Sequence, residues 1–204
     1  MILTIRVKLT ETVKRINTTD YGSDYEFQKD LSDTMKRLND GHYAWNSCYA
    51  SAFSAAHYLP IVSLMNGDDT SVFLAPNLPL YAAQNGLLES YAGAGYNLTE
   101  LAGAEVTAIE GQLPWNYLDD VAGPNGGVYQ DPEQRLNFQF ASYSIVNGGF
   151  GLLAGQFTQT SCFDKDNITL TVKSANGQEI DVTSPWIGSY EGREAWNFTS
   201  GEEL

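Results

Sequence analysis

The sequence predicts an α+β fold: an N-terminal amphipathic helix leading into a β-rich layer, followed by a second β-rich part with short helices. Phe27, Leu31, Met35 and Leu38 recur at the spacing that stacks side chains on one helical face. Asn66-Gly67 and Asn176-Gly177 are turn steps flanked by apolar runs, as in β-hairpins. Pro114 and Pro132 stand where short apolar segments begin, the position a helix tolerates best for proline.

The elements are taken in chain order. "LTETVKRINTT" spaces like a short helix with Val13 and Ile16 buried, while "ILTIRVKL" before it alternates like a strand, and both readings stay open. From Ser23, "SDYEFQKDLSDTMKRLNDG" has a capping residue in Ser23 or Asp24, acids in its first turn, Lys36 and Arg37 in its last, and Gly41 just beyond. "HYAWNSCYASAF" and "LPIVSLMNGDDTSVFLAP" make residues 41–80 a β-rich layer, and the glycines at 86, 93, 95 and 103 mark residues 85–103 as loops. "GAEVTAIEGQLPWNYLDDVAG" reads as a strand with Val106 and Ile109 buried, a Glu110-Gly111 turn, and a helix whose apolar face is Tyr117, Leu118 and Val121. "DPEQRLNFQFASYSI" begins with a further short helix. In "NITLTVKSANGQEIDVTSPWI", Ile168, Leu170 and Val172 alternate into a hairpin returning through Ile180 and Val182.

Charge and composition exclude several function classes. Lys and Arg number 11 against 25 Asp and Glu, a formal charge of -14, so nucleic acid and anionic membranes are repelled and neither is expected as a partner. No apolar run reaches the length of a membrane span. Tyr 12, Phe 9 and Trp 4 in 204 residues supply enough aromatic bulk for a real core.

Metal and cofactor chemistry finds little support. Asp164, Asp166 and Asn167 begin like a calcium loop, but Thr169 and Ala175 occupy the positions that need Gly and Glu. Two histidines and two distant cysteines do not make a zinc set, and no phosphate loop is present, so no cofactor is expected. The acid pairs Asp68-Asp69, Asp119-Asp120 and Glu202-Glu203 are adjacent in sequence, where side chains point apart, and do not suggest a glycosidase. Cys48 and Cys162 are a candidate disulfide if the protein is exported, and otherwise two ordinary buried thiols. Asn17, Asn97, Asn167 and Asn197 stand in Asn-x-Ser/Thr sequons and are candidate N-glycosylation sites.

Of the two histidines, His57 lies among small and apolar residues and reads as a satisfied core histidine. His42 sits where a helix stops and a strand begins, and an Asp-Gly-His turn taken alone favours a structural role.

"LNDGHYAW" resembles the helix-to-strand junction of the S41 serine peptidases, the tail-specific and C-terminal processing type. In particular it is similar to the subgroup of the chlamydial protease-like activity factor and its fungal secreted relatives, in which the catalytic histidine belongs to this junction. "GAEVTAIEGQLPWNYLDDVA" resembles a PDZ-like segment of these proteins, and "DPEQRLNFQFAS" and "NITLTVKSANGQEIDVTSPW" resemble the stretches that come after that segment there. The resemblance runs from about Asp24 to Trp186. It implies that residues 1–84 are the helix and β-rich part of the protease fold, with His42 as general base, and that residues 85–204 form a PDZ-like β-sandwich or barrel. It further implies secretion and a polypeptide substrate or peptide ligand, the latter bound by strand addition. In that family the nucleophilic serine and its acidic partner lie well downstream of the PDZ-like domain. The chain is therefore expected to be an N-terminal portion, its own start cut short, and catalytically incomplete; the alternative is a non-catalytic PDZ-like binding module.

Overall fold

The computed structural model describes residues 2–38, 40–42, 45, 53–123, 129–146, 149–160, 165–174 and 176–190. The N-terminal ambiguity resolves to helix: α1 spans Ile2–Thr18 and α2 spans Asp24–Lys36. Ser23 caps α2 by accepting from the Glu26 amide at 3.2 Å, as its place before the acidic first turn predicts.

The two helices meet through a polar clamp. Arg15 of α1 grips Asp30 of α2 with Nε at 2.9 Å and Nη2 at 2.8 Å, and Nη2 also reaches the Thr34 hydroxyl at 2.8 Å. Tyr21 donates to the same carboxylate at 2.6 Å. Burial opposes ionisation of Asp30, yet these donors more than offset it and hold its carboxyl below the ordinary range. The clamp decides which face of α1 turns inward: Thr12 is buried, whereas Val13, expected in the core, is 59% exposed.

Strands interleaved with short helices make up the rest of the described residues. β1 is Phe53–Ala56, β2 Ile61–Asn66 and β3 Asp69–Leu74; the β2–β3 hairpin closes through Gly67 and Asp68, one residue beyond the expected step. Residues 85–103, expected as loops, are largely helical: α3 (Leu78–Gln84) leads to α4 (Leu88–Gly93) and α5 (Leu98–Leu101). Gly86, Gly95 and Gly103 do not break this region into coil; each sits just past one of these helices at a φ between 71° and 84°, as helix terminators do. β4 (Glu105–Ile109), α6 (Pro114–Ala122), α7 (Pro132–Asn137), β5 (Ser142–Val146), β6 (Gly149–Leu153), a 3-10 turn (Gln156–Thr158), β7 (Gln159–Thr160), β8 (Asn167–Lys173), β9 (Glu179–Pro185) and β10 (Ile187–Tyr190) complete the order. On α6 the buried face carries Leu118 and Ala122, and Val121, expected there, is exposed.

The main sheet is antiparallel in the order β2-β3-β4-β8-β9, so strands from both sides of residue 84 are hydrogen-bonded in one layer. Its core face carries Ile61, Val72, Leu74, Val106, Ile109, Leu170, Val172 and Val182, covered by Leu78, Leu101 and Leu118 from the helices. Each such side chain contributes about 1.5–3 kcal/mol by leaving water.

Glu110 fastens the middle of this sheet. It holds a left-handed φ of 51° at the end of β4, and its amide donates to the Thr169 carbonyl at 2.9 Å. Its carboxylate accepts from the Thr169 amide at 2.7 Å and the Lys165 ammonium at 2.5 Å.

A smaller sheet, β10-β1-β7, adjoins the main one, and the chain crosses between them beside His57. The buried imidazole donates from Nε2 to the Phe157 carbonyl at 2.8 Å, and its backbone amide donates to Thr158 at 3.0 Å. Phe157 and Trp186 meet it edge-on at 4.7 and 4.6 Å. Burial pushes its pKa from 6.5 down to about 4, only partly opposed by the Phe157 carbonyl.

Gly155 packs against the segment that follows α7. The neighbouring Gln156 and Phe157 amides donate to the Phe138 and Gln139 carbonyls at 2.9 and 3.2 Å. At φ 83°, a Cβ would clash with the Gln139 carbonyl and come within 2.6 Å of that of Phe140. Gly155→Ala is expected to cost about 3 kcal/mol or more, read as a lowered urea midpoint.

His57 sets an acid limit on stability. An unfolded chain takes up a proton near pH 6.5 while the folded chain resists until about pH 4, so stability is complete above 6.5 and falls between the two values. From pH 6.5 to 5 the wild type is expected to lose about 1.5 kcal/mol by urea unfolding, a slope that His57→Gln removes. Parallel pH dependences for the two proteins would contradict this.

Candidate functional site

His42 stands in the turn after α2, just beyond Gly41. α2 ends with the Arg37 amide donating back to Asp33 at 3.1 Å and the Leu38 amide to Met35 at 3.0 Å, and the next turn carries the chain out to Asp40. The Asp40 carboxylate accepts from the His42 amide at 3.0 Å, an Asx-type turn, and the same oxygen meets the imidazole Nδ1 at 2.9 Å. These contacts, the backbone one foremost and the ring one next, hold the Asp40 carboxyl below its ordinary value.

The chemistry of that contact is set by hydrogen-bond roles. An ionised carboxylate only accepts, so Nδ1 of the neutral ring carries the hydrogen and Nε2 is left as the basic lone pair. The ring side chain is 94% exposed, which leaves Nε2 open to an incoming group. Trp45 ties the segment back to α2 by donating to the Gln28 side chain at 2.7 Å. The contact fixes the tautomer of the neutral ring and leaves its other nitrogen facing solvent. Asp40 was readable only as a turn residue; its position two before His42, the spacing of an Asx turn, was the signal for its second role.

The remaining candidates are scattered. His57 is fully buried and serves the sheet junction, as its sequence surroundings suggest. Asp68 and Asp69 are exposed at the β2–β3 tip, and Asp119 and Asp120 on the outer face of α6. Asn17, Asn97 and Asn167 are exposed; Asn97 also caps α5, accepting from Thr99 at 3.1 Å and donating to Glu100 at 2.8 Å. Cys48, Cys162, Asp164, Asn197, Glu202 and Glu203 lie outside the described residues, as does most of the strand expected after His42. Among the described residues no group of His, Cys, Asp and Glu is arranged to hold a metal ion, and no helix is long and apolar enough to cross a membrane.

If Asp40 sets the tautomer, Asp40→Ala is expected to shift the neutral His42 ring towards the Nε2–H form. Imidazole 15N chemical shifts read this directly. Unchanged shifts in the variant would mean that the contact does not govern the ring.

Comparisons with known proteins place the fold in context. A family model for the CPAF-like PDZ domain matches residues 80–191, more than half of the chain. The Peptidase S41 family protein phomP1' of Diaporthe leptostromiformis is 25% identical over 194 residues, covering 94% of this chain and 26% of that protein. The Peptidase S41 family protein phomP1 of the same organism matches with the same identity and coverage. The chain thus spans about a quarter of the length of these curated relatives. The solved structure of mature CPAF, complexed with lactacystin, superposes with a TM-score of 0.52 at 15% identity, over 91% of this chain and 29% of that one, a likeness of fold. With residues 80–191 matched to its model and an α+β framework of the same kind around them, the chain belongs to the CPAF-like PDZ domain family.

Proposed function

We propose that these residues are the histidine-bearing and PDZ-like part of a secreted serine peptidase of the S41 kind, with His42 as its general base. The observation that carries this reading is the Asp40–Nδ1 contact at 2.9 Å, which leaves Nε2 exposed and basic at the end of α2. The kinship with S41 peptidases supports it. In the reaction, Nε2 takes the proton of a serine hydroxyl as that oxygen attacks the peptide carbonyl, and returns it to the leaving amine. An oxyanion hole stabilises the tetrahedral intermediate. The serine, and an acid that would compete with Asp40 for Nδ1, come from polypeptide beyond these 204 residues. On this reading residues 1–84 contribute the histidine and residues 85–204 the PDZ-like part, Asn17, Asn97, Asn167 and Asn197 accept glycans, and Cys48 pairs with Cys162.

A second reading, a PDZ-like module that binds peptides without catalysis, is favoured by one observation. The β2-β3-β4-β8-β9 sheet and its helices form a shared core of their own.

The two readings separate in a polypeptide carrying these residues together with the remaining length of the relatives. With an unfolded protein substrate, His42→Ala is expected to lower kcat/KM by roughly 10³-fold or more, while the 204-residue chain alone turns nothing over. Full activity in the variant, or turnover by the isolated chain, contradicts the first reading.

A further inference from the structure

The contacts that hold the His42 ring are local. Asp40 stands two residues before it, so the 3.0 and 2.9 Å contacts shape the turn and orient the ring within it. They do not fix where the turn stands relative to α2. With the side chain 94% exposed, packing of the ring does not fix it either.

The segment that carries His42 is fastened to α2 at both ends. At its start the Leu38 amide donates to the Met35 carbonyl at 3.0 Å and closes the last turn. At its end the Trp45 indole donates to Gln28 Oε1 at 2.7 Å. Gln28 lies near the start of α2 and Leu38 just past its end, roughly 15 Å apart at the rise of a helix, so by Trp45 the chain has turned back alongside α2. His42 lies in that reversal. It precedes Trp45 by three residues, a reach of at most about 11 Å, so whatever holds Trp45 limits where His42 can stand.

Gln28 is itself oriented for this bond. Its Nε2 donates to Asp24 Oδ1 at 3.3 Å, one turn earlier on α2. A carboxylate only accepts and an indole N–H only donates, so both partners require the same orientation of the amide, Nε2 towards Asp24 and Oε1 towards Trp45. Trp45 is 40% exposed, so more than half of the residue is covered as well as bonded. The helix that receives it is fixed in turn by the Arg15 clamp on Asp30.

The consequence is one of placement. A general base works only within hydrogen-bond reach of the proton it takes, and a displacement of about 1 Å can cost on the order of 10²-fold in rate. A segment tied at both ends samples far fewer positions than one tied at its start alone.

We infer that the Trp45–Gln28 bond is a latch that positions His42 for proton transfer, with Trp45 and Gln28 as positioning residues that act through the segment between them and α2. The inference rests on the reading of His42 as general base and adds to it the means by which an exposed ring is held in place.

The test has two arms. In the 204-residue chain, the order parameter of the His42 amide is expected to fall from about 0.85 to below about 0.6 in Trp45→Phe and in Gln28→Leu, while the imidazole 15N shifts stay as in the wild type because Asp40 still meets Nδ1. In the polypeptide that carries the remaining length of the relatives, each variant is expected to lower kcat about tenfold with KM kept within about twofold, and the double variant to fall no further than the lower single. Gln28→Glu keeps an acceptor for the indole and is expected to hold kcat within about threefold of the wild type, a rescue that general loosening of α2 would not give. Unchanged kcat in both single variants beside an inactive His42→Ala would overturn the latch and leave the catalytic reading standing. Losses that multiply in the double variant, or an order parameter that does not move, would overturn it too. Full activity in His42→Ala contradicts the catalytic reading instead, and the amide order parameter, which needs no nucleophile, then decides the latch alone.

Discussion

The architecture depends on one buried imidazole. His57 occupies the link from β1 to β2, Trp186 the link from β9 to β10, and Phe157 the turn that enters β7, so the connections between the two sheets converge on one aromatic cluster. The neutral ring suits the place: Nε2–H satisfies the Phe157 carbonyl while Nδ1 faces the Leu59 amide at 3.4 Å. A phenyl ring of similar size would leave that carbonyl buried and unpaired, and a charged ring would be desolvated with no carboxylate to meet it. Burial accounts for its lowered pKa, against the smaller opposing pull of the Phe157 carbonyl and with no charged neighbour contributing. The histidine that looks least chemical is thus the one the fold cannot easily replace.

Much of this framework was legible in the sequence because local rules and tertiary context agree. α2 announces itself by Ser23, its early acids and the Phe27–Leu31–Met35 stripe; the β2–β3 and β8–β9 hairpins by their turns and alternation; α6 and α7 by Pro114 and Pro132. The misreadings have physical causes. Strand-like alternation in residues 2–9 and helical spacing in the segment after it left both readings open there, and Val13, expected in the core, turns outward because the Arg15–Asp30 clamp, made across fifteen residues, fixes the opposite face of α1 against α2. The helices of residues 78–101 run for four to seven residues, too short to show a periodicity, and their terminating glycines look the same as loop glycines.

The candidate site divides the same way. His42 was visible as a motif, because an Asp-Gly-His step after a helix is local. What that step does was not visible: Asp40 uses one carboxylate oxygen both to shape the turn and to hold the ring, a geometry a sequence does not display. The Trp45–Gln28 bond was still further from reach, since it is made across 17 residues. The charge pattern was present all along. The net charge of -14 argued against nucleic acid from the sequence, but that the lone Lys or Arg between Arg37 and Lys165 is buried required its partners to be seen.

The proposed catalysis and the proposed peptide binding fall on separate elements, the exposed imidazole beyond α2 and the main sheet. The claim that joins them is that His42 serves a nucleophile supplied from outside these residues. Its most direct test is the structure of a polypeptide that carries them together with the remaining length of the relatives. A serine hydroxyl is expected about 3 Å from His42 Nε2. A ring still facing water, with no serine hydroxyl within about 6 Å, would contradict the claim.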